Sequence, residues 1–270
     1  MGRLVVCPTP IGNLEDVTLR VLATLAEADV VACEDTRHTG ILLARHGIRA
    51  RLISVHEHNE RTRADELTAR IAEGEVVALV SDAGTPLVSD PGFALVRACL
   101  AAGLQLEVLP GPSAAVTALI ASGLPAERWR FVGFLPRARG ELEELLASTS
   151  ETLVAFESPR RLAATLALLA ARDPDRQVAV CRELTKLHEE VRRGSAAELA
   201  AHYGENPARG EVVLVCGAAP VGQVSRERAI AAVRQLIDAG AKGRTAAAVV
   251  AGLTGLGANE LYRELIRAGQ

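Results

Sequence analysis

Between residues 4 and 109, short apolar runs alternate with amphipathic stretches, and this rhythm restricts the fold more than any other feature of the chain. Runs at 4–7, 30–33, 51–55, 76–80 and 104–109 have strand length and are built mainly from Val, Leu, Ile and Ala. The segments 18–27, 36–46, 61–73 and 91–102 between them carry apolar residues at helical spacing; in the first, Leu19, Leu22, Ala23 and Leu25 share one side. Parallel neighbours need crossover connections, so the alternation predicts an open, largely parallel sheet covered by helices. A second α/β set follows, with strands at 130–134, 153–156, 178–181 and 212–216, a short strand near 189–193, and helices at 140–147 and 159–171. Gly and Pro punctuate 111–125 around a helix at 113–122, which puts a boundary there. Three short helices joined by Gly turns (225–239, 245–253, 260–267) complete the chain. The expected organisation is an N-terminal α/β domain (1–115), a second α/β domain (116–220) and a small helical C-terminal domain (221–270).

Composition narrows the class. Apolar residues are 49 % of the 270 and charged residues 23 %, which excludes disorder as the main state. Aromatics are only 3 %, so base-stacking platforms are scarce. Residues 221–270 hold seven Arg or Lys against four acids, a net of +3, which leaves −6 on the remainder of a chain whose total is −3. A basic tail suits a polyanionic partner. Its helices read either as a helix-turn-helix-like nucleic-acid module or as a docking or dimer-packing element. The cysteines Cys7, Cys33, Cys99, Cys181 and Cys216 form no C-x-x-C and sit mostly in apolar runs, as small buried side chains of a reducing compartment. Neither a signal peptide, a bilayer-length apolar run nor a myristoylation motif is present, so a cytoplasmic location without membrane attachment is expected. His56-Glu57-His58 is too closely spaced for a zinc-type H-E-x-x-H, and no metal is expected.

Chemistry-bearing residues gather after the predicted strands, the edge at which open α/β sheets bind ligands. Cys7-Pro8-Thr9-Pro10-Ile11-Gly12-Asn13-Leu14 is a stiff turn that matches neither G-x-G-x-x-G nor a Walker loop, which disfavours dinucleotide and P-loop enzymes. In Cys33-Glu34-Asp35-Thr36-Arg37-His38-Thr39, Asp35 or Thr36 can cap a helix, but capping leaves Glu34, Arg37 and His38 unexplained. The long loop Ser81-Asp82-Ala83-Gly84-Thr85-Pro86-Leu87-Val88-Ser89-Asp90-Pro91-Gly92 combines a glycine for close backbone approach with carboxylates and hydroxyls, a set that suits an adenosine and amino-acid ligand. Pro110-Gly111-Pro112-Ser113-Ala114-Ala115-Val116-Thr117 opens a helix whose first N–H groups suit a carboxylate or ribose oxygen; a simple capped helix is the plainer reading.

These segments, in this order, resemble the tetrapyrrole-methylase superfamily. Phe134-Leu135-Pro136-Arg137, Phe156-Glu157-Ser158-Pro159-Arg160-Arg161, Cys181-Arg182-Glu183-Leu184-Thr185-Lys186 and Gly210-Glu211 narrow the resemblance to its branch acting on small-subunit ribosomal RNA. It covers roughly residues 3–217 continuously; each motif alone is weak, and the ordered set is specific. Where the porphyrin branch usually carries Gly-Asp-Pro, this chain has Asp82-Ala83-Gly84-Thr85-Pro86, a departure that favours the RNA branch. The resemblance implies two α/β domains with the active site in the cleft between them, S-adenosylmethionine as methyl donor, and a homodimer. It implies 2′-O-methylation of a cytidine ribose in the decoding region of 16S ribosomal RNA, within the small ribosomal subunit.

On this reading Pro10, Asp82, Gly84, Thr85, Ser113, Ala114, Phe156, Leu184 and Glu211 are the cofactor-binding candidates. A ribose hydroxyl needs a proton acceptor within hydrogen-bond reach, and Glu157, Glu183 and Lys186 are the catalytic candidates, with Glu34 and Asp35 behind them. A neutral Lys186 requires a pKa lowered by burial or by cationic neighbours. Arg37, Arg137, Arg160, Arg161 and Arg182 are the RNA-binding candidates, because a guanidinium fork suits phosphate oxygens; an interdomain ion-pair network is the other reading for Glu157, Arg160 and Glu183. With few aromatics, the RNA is expected to be read by shape, phosphate and 2′-hydroxyl contacts on a preassembled particle. Two other activities fit the same fold, methylation of a corrin or porphyrin precursor and a diphthine-type methylation. A non-catalytic RNA-binding assembly factor is the alternative of another class.

Overall fold

A computed structural model describes residues 2–219, 226–254 and 256–267. The first sheet holds β1 (Arg3–Val6), β2 (Val30–Cys33), β3 (Leu52–Ser54), β4 (Val76–Leu79) and β5 (Gln105–Val108), in the order β3-β2-β4-β1-β5. Every pairing in it is parallel. Alternate residues of these strands enter opposite cores. Leu4, Val6, Val77 and Leu79 pack on α3 (Glu60–Ala72) and α4 (Phe93–Ala101), whereas Val5, Ala78 and Val80 pack on α1 (Leu19–Glu27) and α2 (Thr36–Arg45). Burial on both faces is why the strands read as continuous apolar runs rather than as an alternation.

The second sheet contains β6 (Trp129–Phe134), β7 (Thr152–Glu157), β8 (Gln177–Arg182), β9 (Glu190–Ser195) and β10 (Val212–Cys216), in the order β6-β7-β10-β8-β9. β6 and β7 are parallel, while β10 runs antiparallel to β7 and β8, and β9 antiparallel to β8. One face is covered by α6 (Arg139–Ser148), α7 (Leu162–Arg172) and α8 (Ala196–Glu205) through Leu142, Leu146, Leu162, Leu166 and Leu199. Truncating a fully buried leucine such as Leu166 to alanine costs about 2–5 kcal/mol. On the other face lies α5 (Ala114–Ser122), whose Ala115, Ala118 and Leu119 pack with Val154, Val213 and Val215. The expected divide between residues 115 and 116 falls in the first turn of this helix. Ile11, from the loop after β1, joins the same cluster, and Met1–Gly217 is one compact unit.

Helix starts differ from the periodicity. α4 begins at Phe93 rather than at 91, because Gly92 sits at φ +125° as its cap. Its first N–H groups are held from α3, where Glu60 Oε1 accepts from Gly92 and Ala94 at 2.8 Å each. α7 begins at Leu162 rather than at 159.

The second compact unit, Ala218–Gln270, contains α9 (Arg226–Asp238), α10 (Gly243–Thr254) and α11 (Ala258–Arg267) around a small core of Ala229, Val233, Ala246, Ala247, Val250 and Leu261. The expected helix start at Ser225 and the turn at Gly255 lie outside the described residues. Among the described residues no helix is long and apolar enough to cross a membrane.

Candidate active site

The topology directs polar loops from both sheets into one cleft. β1 and β4 are neighbours, so the loops that follow them run side by side. Thr9 and Gly84 exchange backbone hydrogen bonds at 2.8 and 3.0 Å, and the Thr9 hydroxyl donates to the Ser81 carbonyl at 2.9 Å. The loop after β4 is fastened to the one after β5 by the Thr85 hydroxyl, which donates to the Pro112 carbonyl at 3.0 Å. In the second sheet the antiparallel β10 starts where its neighbours end, with Val212 paired to Glu157 on one side and to Arg182 on the other.

Backbone strain marks the same loops. Among the described residues, the non-glycine positions with positive φ are Leu87 and Ser89 in the loop after β4, and Glu183 and Thr185 after β8. Such conformations persist where the surroundings over-determine them, commonly at ligand sites. Gly210, at φ +79°, has no room for a side chain, since a Cβ there would lie 2.4 Å from the Glu183 carboxylate.

Two cavities result. The larger, about 440 Å3, has an apolar floor of Ile11, Ala114, Phe156, Leu184 and Val213. Its polar rim is formed by Thr85, Ser89, Asp90, Ser113, Glu183 and Glu211. Phe156 is wedged edge-on between Phe131 (5.0 Å) and Phe134 (5.5 Å). Gly133, at φ +65°, breaks the register of β6 just before Phe134 and leaves that ring exposed on the rim. The smaller cavity, about 300 Å3, is walled by Pro10, Gly12, His38, Thr39, Asp82 and Lys186. Ile11, Ala83 and Glu211 belong to both cavities.

A large, mainly apolar cleft with convergent polar groups at strand ends is a ligand site by its shape and chemistry. Comparison with known proteins decides its class. Residues 3–200 match the family described as Tetrapyrrole (Corrin/Porphyrin) Methylases. The chain belongs to the tetrapyrrole methylases. It is 46 % identical to a protein of Micromonospora olivasterospora named ribosomal RNA small subunit methyltransferase I, over 98 % of this chain and 86 % of the relative. A Thermotoga maritima protein of the same name is 43 % identical over 217 residues, 80 % of this chain and 98 % of the relative. Among solved structures, uroporphyrin-III-C-methyltransferase from Thermus thermophilus superposes with a TM-score of 0.60 at 27 % identity, covering 80 % of this chain and 94 % of that one. A second structure of a Thermus thermophilus uroporphyrin-III C-methyltransferase, complexed with S-adenosyl homocysteine, shares the fold at a TM-score of 0.57 and 23 % identity, over 80 % of this chain and 97 % of that one.

In this tetrapyrrole methylase, Gly84, Thr85, Ser113, Ala114, Phe156, Leu184 and Glu211 come together around the larger cavity, while Pro10 and Asp82 wall the smaller one. Glu157 lies at the edge of the larger cavity but is committed to the fold. It is buried, with Oε1 accepting from the Ser158 amide (2.7 Å) and Oε2 from the Thr165 hydroxyl (2.7 Å), and Arg161 Nη2 stands 3.4 Å away. Glu183, Lys186 and Glu211 form a closed triad. Lys186 Nζ donates to Glu183 Oε1 at 3.0 Å and to Glu211 Oε2 at 2.9 Å, and the Glu211 amide donates to Glu183 Oε1 at 2.9 Å. That amide bond, opposed by burial and helped by Lys186, holds the Glu183 carboxyl below its ordinary range. Burial alone disfavours a charged Lys186, yet its two carboxylate partners outweigh it and raise the pKa, the opposite of what a neutral lysine base requires.

The first sheet contributes an acidic wall that the sequence motifs contained without singling out its key member. Asp90 is pushed up to about 6 by burial, and then by the charges of Glu34 and Asp82. Glu34 rises as well, through burial and then Asp82 and Asp35. Asp35 is instead held well below the carboxylate range by the Arg37 guanidinium and amide. The arginines divide by use. Arg37 pairs with Asp35 (2.6 Å) with its side chain almost fully exposed, Arg161 donates to the carbonyls of Leu135 (3.2 Å) and Pro136 (2.5 Å), and Arg182 pairs with Glu190 (3.2 Å). Arg160 and Arg137 are exposed. All five cysteines are free and buried, and burial lifts the Cys7 thiol to about 12, which keeps it unreactive.

Proposed function

We propose that the chain transfers a methyl group from S-adenosylmethionine to the 2′-hydroxyl of a cytidine in small-subunit ribosomal RNA. It is an S-adenosylmethionine-dependent ribosomal RNA methyltransferase, a reading supported by its family and by full-length relatives of that name. The observation that carries the cofactor assignment is the larger cavity. Its apolar floor suits a flat adenine, and Gly84 lies so close to Ile11 and the Pro112 carbonyl that a Cβ there would already be in contact. The start of α5 at Ser113 and Ala114 offers its positive end to a carboxylate. Carboxylates on the rim complement a ligand that carries a sulfonium and an ammonium. A charge-bearing ligand there would also favour the ionised form of Asp90, which burial and like charges oppose.

When bound, S-adenosylmethionine supplies an electrophilic methyl group for in-line displacement. The protein's part is alignment and proton handling, and alignment alone can lower a barrier by roughly 7–11 kcal/mol. Glu183 is the carboxylate of this site that takes the hydroxyl proton. Lys186 remains charged and holds Glu183 and Glu211 in place, and Glu157 fixes the start of α7 and thereby the wall around Phe156. Arg160, Arg137 and Arg37 stand exposed for phosphate contacts, while Arg161 and Arg182 are engaged by the Leu135 carbonyl and by Glu190.

The two α/β domains, 1–115 and 116–220, form the catalytic body, and 221–270 adds basic charge for RNA. The enzyme acts in the cytoplasm as a homodimer, for which the exposed Val116 and Ile120 of α5 offer apolar surface. It needs no metal. Its substrate is the assembled small subunit, at the decoding region of the 16S RNA. The test is methyl transfer to intact small subunits that lack the mark, against a short RNA of the same sequence. The account expects the subunit to be strongly preferred, and equal rates would overturn the particle requirement.

A further inference from the structure

A third cavity, about 620 Å3, lies away from the cleft and shares no lining residue with the other two. It is a groove between α6 and α7, on the face of the second sheet opposite α5. Its origin is a mismatch of side-chain size. α7 lines it with Ala164, Ala167 and Ala171, which recur at helical spacing along one face, and α6 with Leu142 and Leu146. Alanines are too short to fill the space between two helices, so a trough remains with Leu142, Leu146 and Leu169 beneath it. The three alanines are exposed. A contiguous apolar trough that faces water marks an interaction surface.

Four guanidiniums rim this trough, those of Arg137, Arg139, Arg161 and Arg172, against the one carboxylate of Glu143. They are not equivalent. Arg139 pairs with Glu143 at 2.8 Å, and Arg161 is engaged by the carbonyls of Leu135 and Pro136, with Glu157 3.4 Å away. Arg137 and Arg172 are exposed and have no carboxylate partner among the described residues. These two mark opposite ends of the groove. Arg137 follows Pro136, whose carbonyl is held from the start of α7 by Arg161, and Arg172 is the last residue of α7. The 11 residues of α7 set these ends apart by about 16 Å, at about 1.5 Å per helical residue.

We propose that the groove between α6 and α7 docks an acidic amphipathic helix of a partner protein. An apolar ridge of about three turns lies in the trough, and a carboxylate at each end pairs with Arg137 and Arg172. Helices that dock in grooves anchor through residues at i, i+3, i+4 and i+7 on one face. Acids about eleven positions apart return to the same side of a helix after about three turns, so both carboxylates flank that ridge. The apolar floor supplies affinity and the terminal ion pairs supply register and selectivity. Phosphates would suit the guanidiniums, but a floor of leucine and alanine offers an RNA backbone no hydrogen bond.

The probe is a fluorescently labelled synthetic helix of about 16 residues, with leucines at that spacing and two glutamates about eleven positions apart. A control peptide carries lysines in place of the glutamates. Binding to the full chain is read by anisotropy. Arg137 is also among the proposed phosphate contacts, so the variants leave it alone. Ala167→Leu fills the trough, and affinity for the glutamate peptide should fall at least about tenfold, the contribution of one buried leucine side chain. Its melting temperature and methyl transfer should stay at wild-type values. Arg172→Glu should weaken the glutamate peptide about fivefold at low salt, less at high salt, and strengthen the lysine peptide. No binding of the glutamate peptide, equal binding of the two peptides, or binding that survives Ala167→Leu would overturn the proposal. Two further results would overturn it by naming another occupant. A short single-stranded RNA that binds in place of the peptide and is lost in Arg172→Glu would make the groove an RNA contact. A change of oligomeric state in Ala167→Leu, measured by light scattering, would make it an interface between copies of this chain.

Discussion

The two sheets face the same cleft with different equipment. The first is wholly parallel, so all its strand ends point one way, and its loops deliver acid: Glu34 and Asp35 after β2, Asp82 and Asp90 after β4. The second is mixed, and the antiparallel β10 feeds its starting residues between the ends of β7 and β8. That edge supplies the phenylalanine floor and the Glu183–Lys186–Glu211 triad. The contrast teaches that a parallel edge can concentrate like charges, which add to burial in raising the Asp90 and Glu34 carboxyls, while Asp35 escapes through its bond to Arg37. A mixed edge can interlock opposite charges, which fix one another in the charged form.

The comparison can be broken at its most rigid point first. Glu157→Ala leaves the Thr165 hydroxyl, the Ser158 amide and Arg161 without their shared buried acceptor, and should cost about 3 kcal/mol in a denaturant titration. Glu183→Gln keeps the shape of the triad but removes its proton acceptor. Turnover should drop about 100-fold while S-adenosylhomocysteine affinity stays within about threefold, and a loss confined to affinity would reassign Glu183 to binding.

On the acidic side, Asp90→Asn should weaken cofactor binding about tenfold at pH 7.5 and much less at pH 5, where the native carboxyl is already protonated. Stability should move the other way. The Asp90 carboxyl titrates near 6 in the folded chain, against about 4 when unfolded, so the folded state holds more protons in that window. The wild type therefore loses stability from this group as pH rises from about 4 to about 6, and Asp90→Asn should be the more stable form above pH 6. Equal melting temperatures across that range would contradict the burial argument. The smallest effect is expected from the second compact unit. Deleting 221–270 should weaken subunit affinity about fivefold at low salt, less at high salt, and leave cofactor binding unchanged.

Much of this was legible in the sequence. Strand order was not, but the strand–helix rhythm and the Gly-, Pro- and Asp-rich loops located the cleft, because apolar runs and turn residues are local signals. What stayed hidden depends on contacts far apart in the chain. Phe134 reaches the cavity rim only through the irregularity at Gly133, and Glu60 holds the start of α4 from a different helix. Asp90 does not stand out within its motif, since its raised pKa comes from burial and then from Glu34 and Asp82 across the fold. The sequence alone leaves Lys186 free to act as a base, a role that needs a lowered pKa. Its two carboxylate partners, one three residues and the other twenty-five residues along the chain, set the opposite direction. The arginines stand out in the sequence as a phosphate set, and the ion pairs of Arg37 and Arg182 are visible only in the fold.

The most direct test is transfer of radiolabelled methyl from S-adenosylmethionine to small ribosomal subunits from cells lacking this protein, followed by digestion and identification of the labelled nucleoside. The account predicts label in 2′-O-methylcytidine and nowhere else. Label in a base, or none in RNA despite measurable cofactor binding, would contradict it and point to another acceptor in the same cleft.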